Sequence, residues 1–360
     1  MTAQFAEEFC SVAKDDCLSI EVTTHCNGNC THCFARAGNW QPSNLSSAVV
    51  KDVITEGYKT GSRQLHITGG EPLLWKGLFG TLDYAIGIGY QKISMNTNGR
   101  LITGDVAKRL VAYDGLSISV SLDGPESLHD RRRGAGAYKF AVRGIERALE
   151  AGVDLVIFTV AGKSLLPVLP RFVEEAYERF AAIKYLTLIQ LLAPTDNGFA
   201  LSEELLGPGD FIGLVQTVSL LNVYGLRTNV KHSPLARLVA KLTGMPWLPP
   251  AYPLYREGSL IVMANGNIRL SHSSRDSLGH YAPGMIQKVL SSDDYRSAVA
   301  PDQSVCPSCK HTALCRENGM LHPAARCFDT FTDAPYCRRV LDKISGSTAS
   351  AIGLFMPTES

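Results

Sequence analysis

The chain has 360 residues, of which 45% are hydrophobic and 19% are charged, and its formal net charge at neutral pH is +1. These values are ordinary for a globular enzyme, and the charge gives no electrostatic case for binding nucleic acid or an anionic membrane. The start of the chain has no signal-peptide pattern, and no apolar run reaches the ~20 residues that span a bilayer, so we expect a cytoplasmic protein.

Short β-rich segments alternate with segments of helical periodicity over the first two-thirds of the chain. The predicted strands are 17–23, 64–68, 92–97, 116–123, 154–160 and 185–192, with helices between them, as at 47–61 and 141–152. This alternation indicates βαβ units and a parallel sheet. Six repeats predict an α/β fold, a partial (β/α)6 TIM-like barrel, with functional residues at the carboxyl ends of its strands.

The composition changes after the last of these strands. Residues 193–209 are loop-rich, a helical stretch follows, and 244–253 is a proline-rich connector. Residues 258–271 have the pattern of a β-hairpin that turns at Asn265-Gly266. We therefore predict five parts: a lead-in at 1–16, a barrel core at 17–200, a helical linker at 201–253, a small cysteine-rich domain at 254–345 and a tail at 346–360.

The ten cysteines fall into two groups, at positions 10–33 and 306–337. In a cytoplasmic chain such groups indicate metal binding or catalysis rather than disulfides. Cys26, Cys30 and Cys33 form a C-x3-C-x2-C motif directly after the first predicted strand. Three thiolates could hold a 4Fe–4S cluster and leave one iron free for another ligand. The alternatives are a zinc site or three structural thiols.

This motif, followed by "HITGGEP" at 66–72 after the second strand, resembles the signatures of the radical S-adenosylmethionine (radical SAM) superfamily. His32 occupies the aromatic position of the family motif. The resemblance implies that S-adenosylmethionine chelates the free iron and that its reductive cleavage yields a 5′-deoxyadenosyl radical, which abstracts a substrate hydrogen. A reductant of the flavodoxin or ferredoxin type is implied as a partner.

Further residues lie where the resemblance places contacts with S-adenosylmethionine. Gly69 and Gly70 would let the backbone approach the cofactor, and Glu71 would accept a bond from its ammonium group. The segment 129–138 resembles a family stretch whose arginine pairs with the methionyl carboxylate, a role that falls to Arg133. The remaining candidates are polar residues near the ends of the third and fourth strands, where ordinary strand-end caps are the alternative: Ser94, Asn96, Asn98, Ser119, Ser121 and Asp123.

The second cysteine group resembles the SPASM extension of radical SAM enzymes. The C-x2-C-x5-C spacing at 306–315 and "DAPYC" at 333–337 match parts of it, whereas Ser271 and Gly319 stand where the full form has cysteines. We therefore predict a SPASM/twitch-like domain with one auxiliary 4Fe–4S cluster, with a zinc site as the alternative. Its predicted ligands are Cys306, Cys309, Cys315 and Cys337.

Cys327 is left over from both predicted clusters. Three roles are open: it could replace Cys337 as a ligand, remain a plain buried thiol, or donate a hydrogen atom to a substrate radical. The last role would make Cys327 a catalytic residue. Cys10 and Cys17 carry no clear signal.

The resemblance defines the class of reaction more narrowly than it defines the substrate. We expect the epimerisation or oxidation of a carbon in a carbohydrate-type natural product. The alternatives are the modification of a ribosomally made peptide and of a tetrapyrrole side chain. Peptide-modifying members often carry a leader-binding domain before the first strand; the short lead-in has no room for one, although a separate partner could supply it. The intact motifs disfavour a non-catalytic iron–sulfur carrier.

Overall fold

Strands and helices alternate through the described part of the chain, which in this computed structural model comprises residues 15–33, 42–192, 201–246, 248–274, 276–324 and 334–353. The strands are β1 (Cys17–Glu21), β2 (Gln64–Thr68), β3 (Lys92–Thr97), β4 (Leu116–Ser121), β5 (Asp154–Ala161), β6 (Leu186–Gln190), β7 (Thr228–Val230), β8 (Leu260–Val262), β9 (Asn267–Arg269) and β10 (Gly279–His280).

The α-helices lie between and after these strands. They are α1 (Ser47–Lys59), α2 (Leu78–Ile88), α3 (Gly104–Leu110), α4 (Glu126–Arg133), α5 (Ala137–Glu150), α6 (Leu169–Arg179), α7 (Pro208–Val223), α8 (Leu235–Leu242), α9 (Met285–Leu290), α10 (Asp293–Val299), α11 (Thr312–Glu317) and α12 (Ala334–Gly353). Short 3-10 helices occur at Pro72–Leu74, Lys163–Val168, Ser202–Glu204 and Cys306–Ser308. Within the described ranges, no helix has both the length and the apolar character that crossing a membrane requires.

All ten strands belong to one sheet, in the order β10-β9-β8-β1-β2-β3-β4-β5-β6-β7. β1 to β7 pair in parallel, which confirms the predicted parallel arrangement for β1 to β6, and β8 pairs in parallel with the other side of β1. The predicted hairpin is also confirmed, because β8 and β9 are antiparallel and Gly266 in the turn between them has a φ of +84°.

The sheet extends further than the sequence pattern indicated. β7 pairs with β6, with Thr228 opposite Leu186, inside the segment that was predicted to be a helical linker. A strand of three residues is too short to show an alternating pattern, so only the pairing reveals it. The barrel therefore has seven consecutive parallel strands where six were predicted, and the limits of the predicted domains stay a prediction.

The barrel has an apolar outer face and a more polar inner face. On β1, Leu18 and Ile20 are buried in the hydrophobic core, and a Cβ added at Gly57 of α1 would lie 2.6 Å from a Leu18 methyl group. Leu18 therefore faces the helix layer. Because side chains alternate along a strand, Ser19 and Glu21 face the barrel interior.

A glycine in α5 determines how closely that helix approaches the loop after β3. A Cβ on the buried Gly144 would lie 2.3 Å from the carbonyl oxygen of Gly99. That oxygen is a backbone atom, so it cannot rotate away as a side chain could. The approach matters because Gly99 directly follows Asn98, one of the predicted site residues.

We expect Gly144→Ala to lower the free energy of unfolding by about 1–3 kcal/mol, the range for overpacking a buried contact. Gly213→Ala is the matched control, because Gly213 lies in α7 and a Cβ there meets nothing within 4 Å. Alanine in that open helical position should raise the free energy of unfolding by about 0.5–1 kcal/mol. Denaturant unfolding measures both changes, and a shift of the same sign in the two variants would contradict the packing argument.

Candidate active site

Gly69 and Gly70 let the turn after β2 lie against the loop that follows β1. The amide of Gly70 donates to the Thr23 carbonyl at 2.7 Å, and the amide of Glu71 donates to the His25 carbonyl at 2.9 Å. A Cβ at Gly70 would lie 2.3 Å from the His25 oxygen, and one at Gly69 would lie 2.5 Å from the Thr23 oxygen. Both positions therefore require glycine to hold the cysteine loop, and their contact with a cofactor stays a prediction.

The sulfur atoms of Cys26 and Cys30 face the same small space. A Cβ at Gly28 would lie 3.6 Å from the Cys26 sulfur and 3.8 Å from the Cys30 sulfur, and the Gly28 amide donates to Cys26 at 3.3 Å. The Cys33 amide donates to the Cys30 carbonyl at 3.2 Å, which closes the turn. All three cysteines are free and partly buried. This donor set fits three thiolate ligands of one iron–sulfur cluster.

Glu71 is fully buried, and its carboxylate accepts three hydrogen bonds. The donors are the Thr97 hydroxyl at 2.8 Å, the Asn98 amide at 2.8 Å and the Leu73 amide at 3.2 Å. Burial raises the pKa of Glu71, and these donors oppose that shift because they stabilise the charged form. The contacts give Glu71 a role in holding the loop after β3, and the predicted bond to a cofactor ammonium stays a prediction.

Asn98 connects the loop after β3 to the cysteine loop. Its side-chain nitrogen donates to the Asn27 side chain at 2.8 Å and lies 3.9 Å from the Cys26 sulfur. Arg100 reinforces the connection by donating to the Asn27 carbonyl at 2.7 Å. The position predicted as a cofactor contact is therefore next to a predicted cluster ligand.

Asp123 is fully buried just beyond β4 and is paired with Arg133. The Arg133 Nε donates to one carboxylate oxygen at 2.5 Å, and the Val160 amide donates to the other at 2.8 Å. Burial alone would raise the pKa of Asp123, but the charge and hydrogen bond of Arg133, together with the neighbouring His32 and His129, outweigh it and hold that pKa below its usual range. Arg133 also lies 4.0 Å from the Cys30 sulfur. Its predicted pairing with a methionyl carboxylate stays a prediction.

His32 is buried beside this pair. Its Nε2 lies 3.5 Å from a carboxylate oxygen of Asp123, and its Nδ1 has no hydrogen-bond partner in the described part of the chain. Burial lowers the pKa of His32 to about 3, so the ring is neutral at physiological pH. The contact of His32 with a bound cofactor stays a prediction.

The other predicted contacts lie along the strands that line the barrel interior. Ser94 is hydrogen-bonded to His66 at 2.8 Å, and Asn96 lies 3.5 Å from the other nitrogen of the same ring. Ser119 is opposite Asn96 in the register of β3 and β4, and Ser121 lies at the end of β4. Their recorded contacts are to neighbouring strands, so a role in cofactor binding stays a prediction for each.

Arg132 is a site residue that the sequence reasoning missed. Its buried guanidinium donates to the Val160 carbonyl at 2.6 Å and to the Glu204 carboxylate at 2.8 Å. Its own carbonyl accepts from the Thr31 amide at 2.9 Å, in the cysteine loop. In the sequence, only the run of arginines at 131–133 pointed to this residue. The run alone does not show which arginine faces inward, because that depends on the rotation of α4 against the sheet.

The four predicted ligands of the auxiliary cluster line one cavity of about 300 Å³. Burial raises the pKa of Cys315 to about 11 and raises that of Cys337 further, and the neighbouring thiols add to both shifts. Four thiols around one space are a donor set that fits an iron–sulfur cluster, and the ligand roles of Cys306, Cys309, Cys315 and Cys337 stay a prediction.

Polar and turn-forming residues occupy the two positions where the full SPASM pattern has further cysteines. The Ser271 hydroxyl is hydrogen-bonded to Ser273 at 2.9 Å and lies 3.4 Å from the Tyr255 hydroxyl. Gly319 follows α11 with a φ of +63°, a conformation that favours glycine. Cys327 lies outside the described residues, so its three possible roles, as a ligand, a buried thiol or a hydrogen-atom donor, stay open.

Residues 20–178 match the sequence profile of the radical SAM superfamily. The matched region contains the three-cysteine motif and the Gly-Gly-Glu turn, whose contacts are described above. This part of the chain is therefore a radical SAM domain. Domains of this family use a 4Fe–4S cluster and S-adenosylmethionine, the cofactors that the sequence predicted.

Curated relatives resemble part of the chain. The mycofactocin maturase MftC of Mycobacterium ulcerans is 33% identical over 191 residues, which are 52% of this chain and 50% of the relative. The AdoMet-dependent heme synthase of Oleidesulfovibrio alaskensis is 36% identical over 153 residues, which are 42% of this chain and 39% of the relative. The chain thus spans about half or less of the length of these relatives.

Solved structures share the fold over most of the chain at low sequence identity. Native anSMEcpe with bound AdoMet has a TM-score of 0.69 and 16% identity, and the match covers 94% of this chain and 100% of that one. Streptococcus suis SuiB bound to its precursor peptide SuiA has a TM-score of 0.68 and 16% identity, covering 89% and 75%. These similarities confirm the predicted barrel with a cysteine-rich C-terminal part.

We expect Glu71→Gln to destabilise the turn and weaken S-adenosylmethionine binding while leaving the iron content unchanged. A glutamine amide would place its NH2 group against the backbone amide of either Leu73 or Asn98, neither of which can turn away. Two N–H donors that face each other in a buried position should lower the free energy of unfolding by about 1–3 kcal/mol. Denaturant unfolding, iron analysis and equilibrium binding of the cofactor measure the three effects.

The exposed variant Glu175→Gln is the control for this experiment, because Glu175 lies on α6 and pairs only with Arg171 at the surface among the contacts recorded for it. It should leave all three quantities unchanged. A Glu71→Gln protein with the stability and cofactor affinity of the unaltered chain would contradict the role given to this carboxylate.

Proposed function

We propose that the protein is a radical SAM maturase that modifies a peptide. The similarity to mycofactocin maturase MftC carries the proposal, with 33% identity over 191 residues. The fold similarity to SuiB, whose structure is known with the precursor peptide SuiA, supports it further. These observations favour the peptide alternative over the carbohydrate-type substrate that we expected from the sequence.

A tetrapyrrole substrate is the second candidate. The relatives named AdoMet-dependent heme synthase support it, with 36% identity over 153 residues in one of them.

The expectation of a carbohydrate-type substrate rested in part on the short segment before β1. That segment does not bear on the substrate, because a separate chain can recognise a leader peptide.

The chain's own residues have distinct roles in this proposal. Cys26, Cys30 and Cys33 hold the first cluster, which together with S-adenosylmethionine supplies a 5′-deoxyadenosyl radical. Asn98 and Arg133 place hydrogen-bond donors near two of the sulfurs. In this proposal the substrate binds in the barrel interior, where exclusion of water would protect a radical intermediate from side reactions. A flavodoxin- or ferredoxin-type protein is the proposed reductant.

The cysteines at the C-terminal cavity hold the proposed auxiliary cluster. After anaerobic reconstitution we expect about eight irons per chain, four from each cluster. Replacing the three cysteines of the first motif with alanine should leave about four irons and abolish formation of 5′-deoxyadenosine. Iron and zinc analysis provides the measurement. Zinc in the C-terminal site, with four irons in the whole unaltered chain, would refute the auxiliary cluster.

Parallel incubations test the substrate class. The reconstituted protein, S-adenosylmethionine and a reductant are mixed with a pool of synthetic peptides, a pool of aminoglycosides or an iron porphyrin. We expect a mass change in members of the peptide pool, and formation of 5′-deoxyadenosine above the rate without substrate. The triple-alanine protein is the control in every incubation. A mass change confined to the porphyrin or the aminoglycosides would overturn the peptide proposal.

A further inference from the structure

Three buried polar atoms at one side of the barrel interior have no hydrogen-bond partner among the described residues. They are Oε1 of Glu21, Nε of Arg269 and Nε2 of His272. Glu21 is only 2% exposed. Its other carboxylate oxygen accepts from the Ala264 amide at 2.9 Å, which fixes the direction of the free oxygen. Buried polar atoms without partners are uncommon in folded proteins, so a cluster of three needs an explanation.

The register of the sheet places these residues on the interior face. Glu21 faces inward because Leu18 and Ile20 face the helices. Arg269 lies opposite Ile261 in the β8–β9 hairpin, and its neighbour Ile268 is fully buried in the outer core. Burial is the main cause of the lowered pKa of His66, which also faces inward, and Lys231 and then His272 are the neighbours that add to it, so His272 lies near that ring.

The three groups do not satisfy one another. His272 Nε2 and Glu21 Oε1 are 3.6 Å apart, which is longer than a hydrogen bond. Burial lowers the pKa of His272 to about 4, so the ring is neutral and gives the carboxylate no full positive charge. Arg269 influences both groups electrostatically while its Nε stays without a partner. The cluster therefore offers one acceptor and at least one donor to a further molecule.

We propose that Glu21, Arg269 and His272 form a substrate-binding site in the barrel interior that holds one amide group of the peptide. The amide N–H donates to the free oxygen of Glu21, and the amide carbonyl accepts from Arg269 or His272. An amide suits this cluster because it carries a donor and an acceptor on adjacent atoms. That the amide belongs to a peptide rests on the proposed function, whereas the amide-binding chemistry follows from the cluster.

The electrostatics of Glu21 agree with this role. Burial raises the pKa of Glu21 to about 7, although the Ala264 amide and the Arg269 charge both act to lower it. A further N–H donor at the free oxygen would stabilise the ionised form. The bound amide therefore supplies an interaction that the carboxylate lacks in the described structure.

Binding of two small probes tests the site in the reconstituted protein with S-adenosylmethionine. N-methylacetamide carries the N–H donor, and methyl acetate has the same shape without it. In a saturation-transfer NMR titration, we expect N-methylacetamide to bind at least about tenfold more tightly than methyl acetate, the ratio for one hydrogen bond to a charged group. This comparison uses the unaltered chain, so it does not depend on any variant folding.

Variants then locate the probe. Glu21→Leu should weaken N-methylacetamide binding about tenfold, for the same reason. Glu146→Leu is the matched control, because Glu146 lies on the surface of α5, where it pairs with Arg179, and it should change nothing. Equal affinity for the two probes, or an unchanged N-methylacetamide affinity in folded Glu21→Leu protein, would overturn the inference and leave ordered water as the occupant.

The peptide incubation separates this inference from the proposed function. Tight N-methylacetamide binding that needs Glu21, together with no peptide modification, would support the amide site and overturn the maturase proposal. Peptide modification that proceeds equally well in Glu21→Leu protein would support the maturase and overturn the amide site.

Discussion

The candidate site depends on a close approach between two stretches of backbone, the loop after β1 and the turn after β2. The carbonyls of Thr23 and His25 accept from the amides of Gly70 and Glu71, and no side chain would fit at positions 69 and 70. This approach places the cysteine loop over the carboxyl edge of the sheet. Because the parallel strands end at that same edge, residues that follow β2, β3 and β4 reach the loop from three directions.

Two buried carboxylates hold these elements together by different means. Glu71 accepts only neutral donors, so burial prevails and its pKa is raised, whereas Asp123 has the guanidinium of Arg133 beside it and its pKa is lowered. Each carboxylate positions a donor near a sulfur, Asn98 near Cys26 and Arg133 near Cys30. Hydrogen bonds to the sulfurs are among the factors that set the reduction potential of an iron–sulfur cluster.

The polar interior of the barrel bears on the choice of substrate. The expectation of a carbohydrate came from a resemblance that extends over the whole superfamily and from the few residues before β1. For the proposed peptide substrate, the unpartnered atoms of Glu21, Arg269 and His272 would be a point of attachment. The attachment point lies on β1 and on the hairpin that continues the sheet, so the barrel and the C-terminal part both contribute to it.

Local patterns in the sequence determined the strands β1 to β6, the hairpin at Gly266 and the spacing of both cysteine groups, because these features depend on neighbouring residues. Only the tertiary structure decided which side chains meet. It added β7, turned Arg132 inward, and joined Glu21 to Ala264 across 243 positions of the chain. Such contacts depend on the register of the strands and the curvature of the sheet, which no local periodicity encodes.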